Sequence, residues 1–215
     1  MYPPRTADLA GTRPVSRSFG YDRGTPVDRL YIEEFLAAHS AYVTGRVLEV
    51  GESTYSTRFG KGVTRQDVLH VRDDPRATLV ADLGAPDSLP ENAFDCIILT
   101  QTLHLIYDMP AAVRELRRAL RPGGVALVTV PGVSSVDVGE WGSCWCWSLT
   151  GHSALKLFGS EFGEQNVDVV VYGNVYAATS FLHGLAVEEL DRGNLNVRDP
   201  AYPVLVGVCA RRAAA

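Results

Sequence analysis

The chain has 215 residues, 46% hydrophobic and 21% charged, with a formal net charge of −5 at pH 7. These values fit one well-buried domain and are short for two. The acidic balance argues against nucleic-acid and anionic-membrane partners, which need a positive field. Arg114, Arg117, Arg118 and Arg121 interleave with apolar positions on one segment and read as a solvated helix face.

Residues 1–20 are rich in Pro, Arg, Gly and Ser, and are expected to form a flexible arm without a leader's apolar core. Residues 21–215 are expected to form a single domain. Thr25, Pro26 and Asp28 give a helix start, and Val27, Tyr31 and Phe35 give its buried side to about His39. Val47 to Val50 reads as a buried strand that ends in the turn Gly51-Glu52-Ser53-Thr54-Tyr55. Arg58 to Thr64 has room for an abbreviated helix or a loop only. Short strands follow at Val68 to Val71 and from Ala77 towards Asp82-Leu83, with a link too short for a full crossover helix. Phe94 to Leu99 is a buried strand, Asp108 caps a helix carrying Val113, Leu116 and Leu120, and Val125 to Val130 is the next strand. After the tryptophan-bearing stretch Val133 to Gly151, the expectations are a short helix at Ser153 to Phe158 and a strand at Val167 to Tyr172. A long helix at Ala177 to Leu190 and a last strand at Tyr202 to Ala210 complete the chain.

Cys96 and Cys209 lie in apolar strand runs and read as small hydrophobes. Cys144 and Cys146 lack a second pair or a His at zinc spacing, so no metal site is expected. No apolar run reaches membrane-spanning length, and a cytoplasmic location is the expectation.

Strands alternating with helices, the strands carrying continuous apolar runs, predict a mostly parallel sheet covered on both faces. Ligands on such sheets bind beyond the strand carboxyl ends. Four loops converge there: Gly51 to Tyr55, the strand end at His70, Asp82-Leu83, and Gln101 to His104.

The run Leu89-Pro90-Glu91-Asn92-Ala93-Phe94-Asp95-Cys96-Ile97-Ile98, then Leu103-His104, Leu116 to Gly124 and Val130-Pro131-Gly132, resembles the class I methyltransferases of the small methyltransferase-11 type. The resemblance covers about residues 47–132. It implies an α/β, Rossmann-like, doubly wound, mostly parallel seven-stranded sheet with an antiparallel last strand. It also implies S-adenosyl-L-methionine as cofactor. Residue by residue, it puts Glu49 at the methionine amino end and Gly51 at the close approach of the turn. Asp82 is then set at the adenine amino group, Leu83 beside it, and Gln101 and Thr102 beneath the methionine part. Ser53 and Tyr55 stand where the family has glycines, and a side chain there restricts the turn. His70 stands where the family has the ribose-gripping acid, and a neutral imidazole offers one such bond.

Methyl transfer depends chiefly on positioning, and a base is needed when the acceptor is a weakly acidic hydroxyl. The candidates are His104, at the mouth of the fourth strand, and His152, after the tryptophan-rich stretch; His183 reads as a core or surface histidine. Trp141 to Trp147 is either a substrate-facing aromatic wall or a flap packed on the sheet, and Tyr21 to Arg23 a lid. The expected reaction is O-methylation of a small hydroxylated metabolite, a sugar or a secondary-metabolite intermediate. The alternative is a relative that no longer methylates, serving as a partner module or catalysing a cyclisation or elimination. A homodimer or a partner enzyme is open under either reading. A nicotinamide-dependent reductase would need a fuller glycine fingerprint than this turn supplies.

Overall fold

The structure, a computed structural model, describes residues 11–214. Seven strands form one sheet in the order β3-β2-β1-β4-β5-β7-β6. They are β1 (Gly45–Val50), β2 (Val63–His70), β3 (Leu79–Val80), β4 (Phe94–Thr100), β5 (Leu120–Pro131), β6 (Val167–Tyr172) and β7 (Leu205–Arg211). β1 pairs parallel with β2 and β4, whereas β7 runs antiparallel to both β5 and β6. The expected doubly wound sheet with an antiparallel last strand is the one observed.

Strand alternation sorts the core onto two faces. Leu48, Ile97, Leu99, Ala126 and Val128 pack on one side with Met109, Val113 and Leu116 of α3 (Met109–Ala119) and Phe158 of α4 (Gly151–Phe162). Val47, Cys96, Ile98, Leu127 and Cys209 pack on the other with α1 (Val27–Ala38) and α5 (Val175–Leu182). Both thiols are buried and free, and burial pushes the Cys96 thiol up. α1 crosses the sheet so closely that a Cβ on Gly207 of β7 would lie 2.6 Å from Phe35 Cδ2, and that ring is fully buried. Gly207→Ala should therefore overpack the core and cost about 2 kcal/mol; a denaturant melt with an unchanged midpoint would show that α1 can move aside.

The helices follow from local chemistry. Asp108 accepts from Ala111 N and starts α3. Thr150 and Ser153 exchange capping bonds at α4, which runs to Phe162 and is longer than the short helix expected from Ser153. Pro26, not Thr25, is the residue before α1, because the Thr25 amide and hydroxyl donate to Glu188. The long helix expected over Ala177 to Leu190 breaks after Leu182. Gly184 adopts φ +67°, its amide donates to Phe181 O and the Leu185 amide to Ser180 O, a paired bonding that closes a helix.

The abbreviated segment after the first turn is α2 (Thr54–Phe59), so the helix begins inside the turn rather than after it. β2 is longer than expected because Asp67, 1% exposed, accepts from Arg46 Nε of β1 at 2.7 Å, from Arg65 and from Thr78 Oγ1. A polar residue in mid-strand is thereby satisfied. β3 shrinks to two residues before the loop at Asp82.

Of the expected arm, residues 1–10 lie outside the described residues. Val15 and Ser16 donate their amides to His183 O, and Phe19 packs 6.1 Å from Phe181, so residues 15–20 are seated on the turn after α5.

Candidate functional site

The strand order reverses between β1 and β4, and a crevice is expected beyond the carboxyl ends at such a switch point. Gly51, at the end of β1, has φ +88°, and nothing lies within 4 Å of where a Cβ would stand. The turn needs glycine for its conformation and leaves open space beside it. Glu49, 2% exposed, accepts from Tyr55 N at 2.9 Å and Ser56 N at 2.7 Å. Its two oxygens thus satisfy amides of the first turn of α2, as a capping acid does. Burial lifts its carboxyl above the usual range, and the same two amides oppose that rise.

Ser53 precedes α2 and makes no side-chain cap bond; its carbonyl accepts from Thr57 N. His70 Nε2 lies 2.7 Å from Gly51 O. A carbonyl only accepts, so Nε2 carries the proton and Nδ1 is left as the acceptor. Histidine here stitches the end of β2 to the turn of β1. Asp82 is exposed, and its Oδ1 accepts from Gly84 N at 2.8 Å; Leu83 turns inward and is buried. Gln101 follows β4 with φ +46°, held by its amide to Thr129 O, and Thr102 Oγ1 donates to Thr100 O.

Two further residues join this group that motif reasoning did not select. Asp28, in the first turn of α1, is 9% exposed and accepts from Gln101 Nε2 at 3.3 Å. Asp28 Oδ1 and Gln101 Oε1 are both buried without a partner. Burial raises the Asp28 carboxyl, with Arg29 acting against it. Arg29 donates through Nε to Tyr21 OH at 2.6 Å and through Nη1 to Tyr55 OH at 3.2 Å. The Tyr55 side chain therefore leans toward α1 and stacks on Phe59 at 6.2 Å. Asp28 had counted only as a first-turn acid; nothing in its spacing marks it as a partner of Gln101.

His104 is 2% exposed, and burial pushes its imidazole down to about 4, so the ring is neutral at pH 7. Its Nδ1 has no partner, and the Trp145 ring stands edge-on against it with centroids 4.4 Å apart. Trp145 lies parallel to Phe19 at 6.3 Å, and Cys146 N and Trp147 N donate to His104 O. The tryptophan stretch is thus tied to the β4 exit, with Trp141 and Trp147 partly exposed. His152 is exposed on the first turn of α4 and shares no hydrogen bond with this group.

Gly51, His70, Gln101 and Thr102 therefore gather around β1, β2 and β4, with Asp82 and Leu83 just past β3. The open glycine turn and the two orphaned acceptors fit a ligand whose polar end donates hydrogen bonds. Two depressions, of about 430 Å³ beside Ser56, Gly60 and Arg65 and about 400 Å³ beside Thr25, Glu33 and Glu188, lie away from this edge.

Residues 40–128 match a family model described as a methyltransferase domain. A malonyl-[acyl-carrier protein] O-methyltransferase from Serratia marcescens is 31% identical over 143 residues, 60% of this chain and 55% of that protein. A ubiquinone/menaquinone biosynthesis C-methyltransferase from Hahella chejuensis is 34% identical over 83 residues, 36% of this chain and 29% of that one. The chain thus spans about half the length of the first relative and under a third of the second. Among solved structures, an S-adenosylmethionine-dependent methyltransferase from Mesorhizobium loti aligns with TM-score 0.52 at 16% identity, covering 86% of this chain and 98% of that one. The [4+2]-cyclase SpnF aligns with TM-score 0.56 at 17% identity, covering 86% and 81%. The matched segment includes β1, β4 and α3, whose order and pairing the sheet reproduces, and over residues 40–128 the chain is similar to methyltransferase domains.

Proposed function

We propose that the protein binds S-adenosylmethionine at the β1–β4 edge and methylates the oxygen of a small hydroxylated metabolite. The observation that carries this reading is the unobstructed Gly51 turn, at the same strand edge as the unpartnered Asp28 Oδ1 and Gln101 Oε1. Gly51 and Ser53 would admit the cofactor backbone-close, and Asp82 with Leu83 would meet its adenine. His70 would accept one ribose hydroxyl at Nδ1, a single bond in place of an acid's two. Gln101 and Thr102 would lie at the methionine end. When bound, the cofactor supplies an electrophilic methyl group.

The chain's own task is then to exclude water and aim the acceptor, which is where most of the acceleration of a displacement arises. Trp145 and Phe19 form an apolar cover over His104. A neutral imidazole can accept the hydroxyl proton, so His104, rather than the exposed His152, is the proposed base. The metabolite class, a sugar or a secondary-metabolite intermediate, is supported by this aromatic cover, since aromatic walls bind apolar and sugar faces.

Calorimetric titration with S-adenosylmethionine and with S-adenosylhomocysteine tests the reading, and binding of both is expected. Asp82→Ala should weaken each about fivefold, the loss of roughly 1 kcal/mol of hydrogen bonding. Folded protein that takes up neither would sink methyl transfer and leave the relative that has ceased to methylate.

A further inference from the structure

Phe19 stands in a backbone conformation that its side chain disfavours. Its φ is +56°, in the left-handed region where a bulky aromatic residue is an outlier and glycine is at ease. Strain of this kind persists only where the surroundings hold it, and here they do on both sides. Before it, the Val15 and Ser16 amides donate to His183 O at 2.9 and 3.0 Å. After it, Gly20 lies so close to the turn after α5 that a Cβ would stand 3.1 Å from Leu185 O, and Arg23 Nε donates to Glu189 Oε2 at 2.9 Å. Clamped in this way, the Phe19 ring meets two others. Phe181 of α5, itself buried, lies 6.1 Å away, and Trp145 lies 6.3 Å away with the two planes 4° apart. Trp145 depends on that support. Residues 145–150 form neither helix nor strand, and whereas the Trp147 indole donates to Tyr107 O, the Trp145 indole makes no hydrogen bond among the described residues. Its ring is held by what it packs on, Phe19 and, with centroids 4.4 Å apart, His104. The buried His104 Nδ1 has no partner either, so the contact with Trp145 sets the imidazole where a hydrogen bond would otherwise do so. The rings form a chain, Phe181–Phe19–Trp145–His104, anchored on α5 at one end and ending on the proposed base.

We infer that Phe19 is a positioning residue for His104: acting through Trp145, it holds the imidazole in place and keeps water from it. This rests on the reading of His104 as the base and extends it to a residue that no strand end carries. The ring is what position 19 requires, since the backbone alone would favour glycine.

Burial alone lowers the His104 imidazole, with no neighbouring charge contributing, so its titration reads water exclusion directly. Proton NMR of the ring C–H signals of the whole chain, assigned by their loss in His104→Gln, follows that titration without substrate or cofactor. In the parent these signals should hold still between about pH 5 and 8. Phe19→Gly relieves the backbone and removes the ring, and should raise the midpoint by about two units, into that window. Phe19→Tyr keeps the ring and should behave as the parent. Phe19→Leu keeps apolar bulk without a planar ring and should shift in the same direction as Phe19→Gly, which preserves the comparison if the glycine variant does not fold. Trp145→Ala should shift at least as far as Phe19→Gly, and the double variant no further than Trp145→Ala alone. A further shift in the double variant would mean that Phe19 does not act through Trp145, and overturns the inference. Folded Phe19→Gly and Phe19→Leu chains with silent His104 signals overturn it too, while leaving His104 as the base. A parent ring that titrates near its ordinary value overturns it together with the reading of His104 as a shielded base.

Discussion

Glu49→Gln is expected to lower stability by about 3 kcal/mol although it changes one atom and no volume. The two carboxylate oxygens face two backbone N–H groups, those of Tyr55 and Ser56, and the carboxylate is buried. Glutamine keeps one acceptor and turns an NH₂ group against the other amide. One buried amide then loses a charge-assisted bond and gains a repulsive neighbour, at the positive end of α2 where a negative charge had been favourable. For a chain of this size the melting temperature should fall by roughly 6–12 °C. A variant melting within about 2 °C of the parent would show that the two amides find other partners and that Glu49 is free for a ligand. The cofactor affinity of the variant should drop as well, because Gly51 and Ser53 are fixed in place by the helix this acid starts.

The second large effect concerns acid. His104 has an ordinary value of 6.5 that burial lowers to about 4. Between those values the unfolded chain binds a proton at this ring that the folded chain does not. Stability therefore rises with pH across that window, and the contribution is lost as pH falls from above 6.5 towards 4. The loss at pH 4 relative to pH 7 amounts to about 3 kcal/mol from this one ring. Other groups titrate in the same range, so the measurement is a difference: denaturant unfolding of the parent and of His104→Gln at a series of pH values. The parent should lose about 3 kcal/mol more than the variant over that interval. Parallel curves would mean that the ring is solvated when folded, which would also remove the reason to regard it as a neutral base under Trp145.

What the sequence disclosed was whatever is written locally. α3 and its Asp108 cap, β4 and β6 could be read from periodicity and turn chemistry and are observed closely, except that Leu120, expected on α3, opens β5, which starts five residues before the expected Val125. The long helix expected over Ala177 to Leu190 failed at Gly184. Its apolar pattern continues, but the backbone turns left-handed, and Ala186 makes a bridge to Pro26 that no pattern announces. β2 extends ahead of the expected Val68 to Val71, beginning at Val63, with Asp67 satisfied by Arg46 of the neighbouring strand. The site divides in the same way. Gly51, His70, Asp82 and Gln101 could be located because strand ends are marked in the sequence. That Glu49 caps a helix, that His70 binds Gly51 O, and that Asp28 meets Gln101 across 73 residues are tertiary facts.

The position of β7 between β5 and β6 has a consequence for assembly. The last strand in sequence is an interior one, paired by backbone on both sides. During synthesis β1 to β5 can form a five-stranded sheet with α3 laid on it, but β6 has no partner until Leu205–Arg211 emerges. Until then β5 keeps a bare edge, and the apolar residues Leu127, Val128 and Val130 along it stay open to another chain. Closing the sheet joins the most distant segments last, the slow kind of contact. A protein arranged in this way is most exposed to aggregation in the seconds before its final strand arrives.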